Sequence, residues 1–353
     1  MAADTSAPRP RRSGPSPMAG LFVLLVIGLV AWTGWWFWLV NRVEGELEAR
    51  AEGLRAQGWT IDWQDQAISG WPFRARFEVE HVTVAAPSGH ELAAPRLVAE
   101  ANAYAPTHWV AVAEEGLVLT RGEDKGKVAI NGGPARASLT RLTAPQPTIA
   151  LQLVEPEFTA HPGAEPFPIS GADRIELHLR QHQLTEDEAA GRGRQIDVFF
   201  RLEGARGRPQ GPIDRMTADT RLDLLLEAVV DDAEALRGAD IPTALAAWSA
   251  AGGRFQTVKG EVRAGDAEAL MTSPVLTLSD DGRLQGVVTL DARRAAPVLA
   301  GLAGRDASEE VEGAPAAPAP TPDTARPVEL ELIFRDGRTY LGAFPIAPAP
   351  KLF

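Results

Sequence analysis

The chain contains no cysteine, so a cysteine nucleophile, a thiolate metal site and a disulfide framework are all excluded. Tyrosine occurs twice and histidine six times, which leaves little material for a polar catalytic centre. Basic charge is also short: 35 Lys and Arg stand against 47 Asp and Glu, a net charge of −12. That balance argues against a nucleic-acid partner, which needs a basic face to displace counterions. Disorder as a whole is excluded by the 45% hydrophobic content of the 353 residues, enough apolar material for two or three domains' worth of core.

Charge is missing altogether from Met18 to Val40, 23 residues that include Leu21-Phe22-Val23-Leu24-Leu25-Val26-Ile27. A bilayer core of about 30 Å takes about 20 helical residues, so the run reads as one transmembrane helix. Trp32, Trp35, Trp36 and Trp38 crowd its C-terminal end, where indole rings favour the membrane–water interface. A cleaved signal peptide would have a shorter apolar stretch and small residues at its end. Here the tryptophans run straight into Asn41-Arg42. Arg9, Arg11 and Arg12 precede the run and Glu44, Glu46 and Glu48 follow it. The positive-inside rule then expects a cytoplasmic N-terminus, a single span in the bacterial inner membrane and a periplasmic C-terminal domain.

The organisation expected from these signals has a disordered cytoplasmic tail (1–17), the transmembrane helix (18–40) and a charged stalk helix (41–57). A periplasmic β-rich domain (58–305), a low-complexity Pro-Ala loop (306–327) and a C-terminal β-hairpin with a Pro-rich tail (328–353) complete it. Beyond Gly58 the apolar period is two. Phe73, Ala75, Phe77 and Val79 alternate with charged residues, as do Ile175, Leu177 and Leu179, and Ile196, Val198, Phe200 and Leu202. Met216, Ala218, Leu222 and Leu224 repeat the pattern, and so do Val328, Leu330, Leu332 and Phe334. Each reads as an antiparallel strand with one apolar and one charged face. Asp281-Gly282 and Asp336-Gly337 read as type I′ hairpin turns. Pro242–Ala251, closed by Gly252, is the best helix after the anchor, and 295–303 reads as a second short one. The fold class is therefore mainly β: an elongated antiparallel sheet, groove or sandwich, behind one apolar helix.

Motifs for chemistry are weak. His178 and His182 are four apart but lie in a strand pattern, so they read as a polar strand face. Gly122–Lys127 is one residue short of a phosphate loop and reads as a β-turn, and Gly191–Arg194 reads as a hairpin loop. No Gly-x-Ser-x-Gly elbow is present. The acid pairs Glu114-Glu115 and Asp231-Asp232 read as solvated loop charges. No catalytic residue, cofactor or metal is expected. The candidate site is instead apolar: Phe73, Phe77, Ile175, Leu177, Val198 and Phe200 line either a groove for phospholipid acyl chains or an ordinary core, which use the same residue types.

Several local signatures combine with this layout. Ser69-Gly70-Trp71-Pro72-Phe73-Arg74 opens the first alternating strand, and Trp248 with Gly252-Gly253 follows the best helix. Asp281–Gly286 and Arg335–Gly342 come later. Together they resemble a proteobacterial membrane-anchored family known as domain of unknown function 2125. The resemblance implies location and architecture and no catalytic residues. More distantly the layout is similar to AsmA-like envelope proteins, which implies an apolar β trough, contact with lipid and a part in envelope biogenesis. A scaffold that docks other envelope proteins is the alternative function.

Overall fold

The computed structural model describes residues 17–352, apart from 123, 124, 143, 145, 184–192, 218, 219, 266 and 294–327. Its first element is one unbroken helix, α1 (Pro17–Arg55), which carries the uncharged run straight into the charged stalk. Every strand that follows joins a single antiparallel sheet of nineteen strands.

Strands β1 (Thr60–Ser69), β2 (Arg74–Ala85) and β3 (His90–Asn102) pair in succession. The sheet then forks. The Val98–Asn102 part of β3 pairs with β4 (Ala105–Ala113), and its His90–Ala93 part pairs with β5 (Leu117–Arg121). Pro95, which has no N–H to give a ladder, sits at the fork. One branch continues from β5 through β6 (Lys127–Asn131), β9 (Glu157–Ala160) and β10 (Ile169–Gly171). The other continues from β4 through β7 (Ala135–Thr140), β8 (Thr148–Val154) and β11 (Arg174–Gln181). Both branches rejoin on β12 (Ile196–Gly207). Gly204, at φ +61 beside a register shift, marks the second junction, and its N–H is taken by Asp223 Oδ1 at 2.7 Å. From there β13 (Leu222–Val230), β14 (Phe255–Ala264), β15 (Ala267–Leu278), β16 (Leu284–Arg293), β17 (Val328–Arg335), β18 (Arg338–Leu341) and β19 (Phe344–Pro348) form a meander.

The period-two strands emerge as expected, except that Phe73 stands in the turn before β2 and one strand starts late. Pro212–Thr217 is a short helix, α2, and the strand expected from Met216 starts only at Leu222. Pro212 presets the first helical φ, and Asp214 Oδ2 accepts the Gln210 N–H at 2.8 Å, so local capping overrides the alternation. Asp336-Gly337 is the expected two-residue turn, with φ +51 and +71. Asp281-Gly282 instead belongs to a five-residue loop between Leu278 and Leu284. Ser279 closes that loop, accepting the Gly282 N–H on its carbonyl and the Arg283 N–H on its hydroxyl, so positive φ is needed only at Gly282. Residues 1–16, the 295–303 helix and the 306–327 loop lie outside the described residues.

The expected helix after the anchor is α3 (Ile241–Ala250), preceded by a 3-10 turn at Ala233–Ala235. Asp240 caps it, accepting the Thr243 N–H at 3.0 Å, while Thr243 Oγ1 accepts the Asp240 N–H. At the other end the Gly252 and Gly253 N–H groups return to Ser249 and Trp248 carbonyls, the Schellman pattern. Burial alone would raise the Asp240 carboxyl, but hydrogen bonds from Thr243 and Ser88 outweigh it and hold the group below the usual carboxylate range. Its contribution is therefore complete above the ordinary pKa of about 3.9 and is lost as pH falls through the lower folded value. Asp240→Ala is expected to cost about 1 kcal/mol at pH 7 in urea denaturation, with the difference from wild type shrinking below about pH 4.

Candidate functional site

Paired residues of neighbouring strands share a face, so the register traces lines across the sheet. One line begins at Ile68 on β1 and runs through Phe77, Ala99, Ala111, Ala137 and Leu151 on β2, β3, β4, β7 and β8. It continues through Leu177, Phe200, Leu226, Gly260, Met271, Leu290 and Leu330 on β11 to β17. None of these thirteen positions is polar. At 4.7–4.9 Å per strand the row is about 55–60 Å long. In its middle it is flanked on one side by Leu153, Ile175, Leu202 and Leu224, and on the other by Ile149, Leu179, Val198 and Ala228, so the strip is three rows wide there.

The line one residue over faces the opposite side and has a different composition. It includes Glu78, Arg136, Gln152, Glu176, Arg201, Glu261, Asp291 and Glu329. Charges on that side meet one another: Glu100 with Arg76 at 3.1 Å and Arg74 at 3.2 Å, and Glu176 with Arg174 at 3.8 Å and Arg201 at 3.9 Å. Solvated pairs of this kind contribute at most about 1 kcal/mol each. Two shallow hollows also open on this side. One of about 430 Å³ is lined by His178, Asp197, Phe199, Glu227 and Lys259, and one of about 560 Å³ by Asp173, Arg201, Arg221, Glu261 and Arg263.

The two ends of the apolar row are covered and its middle is not. At the first end α1 lies along β1: Trp36, Leu39 and Val40 pack with Ala75, Phe77 and Ala103, and Arg55 donates to the Ile61 carbonyl at 2.9 Å. At the far end Leu290 and Leu330 pack with Leu332, Phe334, Leu341, Ile346 and Ala349. Along one margin Trp248 of α3 seals Val198, Val230 and Leu278. Along the other, Ile213 of α2 joins Phe158 and Phe167 over Leu202 and Leu222. Leu151 and Leu177 belong to none of these clusters, and Leu151 is 43% exposed.

Five of the six sequence candidates lie on this face. Leu177 and Phe200 are paired at its centre, Ile175 and Val198 stand in the flanking rows, and Phe77 is sealed beneath α1. Phe73 lies outside the row in the turn before β2, 66% exposed. The tryptophans divide in the same way. Trp32 Nε1 donates to the Pro72 carbonyl and Trp36 Nε1 to the Arg74 carbonyl, both at 2.7 Å, fastening α1 to the start of β2. Trp35 and Trp38 stack with ring centroids 4.8 Å apart and stay exposed.

The polar motifs resolve into structure. His178 stacks edge-on against Phe199 on the charged face, and His182 Nδ1 meets Asp197. Among the described residues no group of three or more His, Asp or Glu is arranged to hold a metal ion. Asp231 is not a solvated loop charge: it is buried and accepts the Arg254 N–H at 2.7 Å, Arg254 Nε at 2.9 Å and Gln256 Nε2 at 2.7 Å. Sequence reasoning missed it because a strand-end acid and a loop acid look alike until the partner strand is known. Residues 123 and 124 of the phosphate-loop-like segment, and 191 and 192 of the Gly-Arg loop, lie outside the described residues.

A family model described as an uncharacterized protein conserved in bacteria (DUF2125) matches residues 36–350, from Trp36 in α1 to the Pro-rich tail. No curated protein and no solved structure matches the chain.

Proposed function

The chain belongs to that bacterial family, and from this premise we propose a non-catalytic, periplasmic lipid-holding protein tethered to the inner membrane by α1. One observation carries the reading: a thirteen-strand row without a polar side chain that is covered at its ends and open in its middle. The open middle of the row costs free energy in water, at about 25 cal/mol per Å² left wet, unless something apolar lies on it. One leaflet of a bilayer core is about 15 Å deep, and the uncovered stretch from Ala99 to Leu177 crosses five strands, about 20 Å, which is long enough for one acyl chain. The anchor reading draws on α1 itself, whose last apolar turns are built into the β domain through Trp32 and Trp36. With three arginines before the run, the positive-inside rule assigns the N-terminus to the cytoplasm and the sheet to the periplasm. The likeness to AsmA-like envelope proteins contributes only the outline of this arrangement.

Leu177→Asp tests it. In a sealed core the unpaired carboxylate would destabilise the fold by several kcal/mol. On an open strip it stays hydrated, so the variant is expected to keep its thermal transition while losing most of the phospholipid that copurifies with wild type. Thermal melts paired with solvent extraction and lipid mass spectrometry read both quantities. Unfolding, wild-type lipid content in the variant, or a lipid-free wild type contradicts the proposal.

A second reading, docking of another envelope protein, is favoured by a separate observation. Val275 and Val287 are exposed together on the outer, charged side of β15 and β16. It predicts protein crosslinks from Val287 and none from the apolar row.

A further inference from the structure

The turn that opens β2 carries Trp71 and Phe73, 48% and 66% exposed, and the turn between β3 and β4 carries Tyr104, 71% exposed. The two turns are tied together, since the Ala103 N–H donates to the Phe73 carbonyl at 2.8 Å. Both are held at a fixed height on α1 by the Trp32–Pro72 and Trp36–Arg74 hydrogen bonds. Trp36 lies four residues, about 6 Å of helix, before the last residue of the uncharged run at Val40. A span of about 20 residues counted from Met18 ends near Phe37, so these turns stand level with the final turns of the span. On the same stretch of α1, Trp35, Phe37 and Trp38 are exposed as well. The first ion pair behind the aromatics is Arg74–Glu100, where a charged group would leave the hydrocarbon boundary for the headgroups.

We propose that Trp71, Phe73 and Tyr104 form a second membrane contact, a tip of the β domain seated in the interfacial layer of the outer leaflet of the bilayer that α1 crosses. Trp71 and Tyr104 each join an apolar body to a polar handle, which favours that layer, and Phe73 adds apolar area between them. The tip also borders Ile68 and Phe77, where the apolar row begins, so it brings one end of the row to the lipid surface. This inference rests on the anchor reading of α1.

The cysteine-free chain allows single labels. Full-length Leu25→Cys, Phe73→Cys, Tyr104→Cys and Ile241→Cys proteins, each carrying nitrobenzoxadiazole, are reconstituted in phosphatidylethanolamine–phosphatidylglycerol vesicles with doxyl-labelled phosphatidylcholine. Ile241 is the dry-land control. It neighbours Ala239, whose carbonyl accepts from Trp59 Nε1 at the opposite end of β1, about 30 Å from the tip. The expected result is at least twofold quenching at Leu25, Phe73 and Tyr104 and none at Ile241. Quenching at Leu25 alone overturns the tip and leaves the anchor standing. Loss of quenching at Leu25 overturns the anchor reading and the tip with it.

Discussion

Lysine at both Val26 and Ile27 is expected to release the protein from the membrane fraction. Both positions lie in the middle of the uncharged run and are exposed on α1, so no protein surface shelters the new charges. Each lysine at the centre of a span costs about 2.5–3.5 kcal/mol on insertion scales, about 5–7 kcal/mol for the pair. That exceeds what a single helix with no neighbours to share the charge can offset. Carbonate extraction of cells expressing the double variant measures it. A protein that remains in the carbonate-resistant pellet contradicts the single-span reading.

Trp248→Ala is expected to lower the stability of the β domain by about 3–5 kcal/mol, the range for deleting a buried tryptophan. Trp248 is fully buried, its Nε1 donates to the Asp231 carbonyl at 2.7 Å, and its ring packs against Phe255 with centroids 4.8 Å apart. Gly253 faces that ring, and a Cβ there would collide with it, which gives the Gly252-Gly253 pair after α3 two separate jobs. The first glycine takes the positive φ of the cap, at +87, and the second makes room for the indole. The same loss removes the wedge that seals Val198 and Val230, so the margin of the apolar face opens along with the cavity. Urea denaturation followed by far-ultraviolet circular dichroism checks the value. A loss below about 1 kcal/mol would mean that α3 is not part of the cooperative unit.

Much of this architecture was legible in the residues because alternation is a local signal. Strands such as Arg174–Gln181 and Val328–Arg335 announce both their existence and their two faces within eight residues. The Asp240 cap and the Gly252 stop likewise act over a single turn of helix. The fork at Pro95 and the junction at Gly204 are set by pairings such as His90 with Arg121 and Ile169 with Gly207, whose separations are far longer than one strand, so no short window holds them. The apolar row shows the same division. Phe77, Leu177 and Phe200 stand out by pattern, but Ala99, Ala111 and Ala137 are small residues in unremarkable strands, and only register makes them one line. Phe73 illustrates the converse: it continues the alternation of Phe77, yet the Trp71-Pro72 turn takes it out of the sheet.

The claim at the centre of this account is that acyl chains lie on the open middle of the row, and site-directed photocrosslinking in growing cells measures that contact. A benzophenone side chain is introduced at Leu151 or Leu177 on the apolar face, and at Gln152 or His178 on the charged face, with phospholipid labelled by ³²P. The account predicts labelled protein after irradiation from the Leu151 and Leu177 positions and background signal from the other two. Equal labelling from both faces, or crosslinks from Leu151 and Leu177 to protein alone, would contradict it.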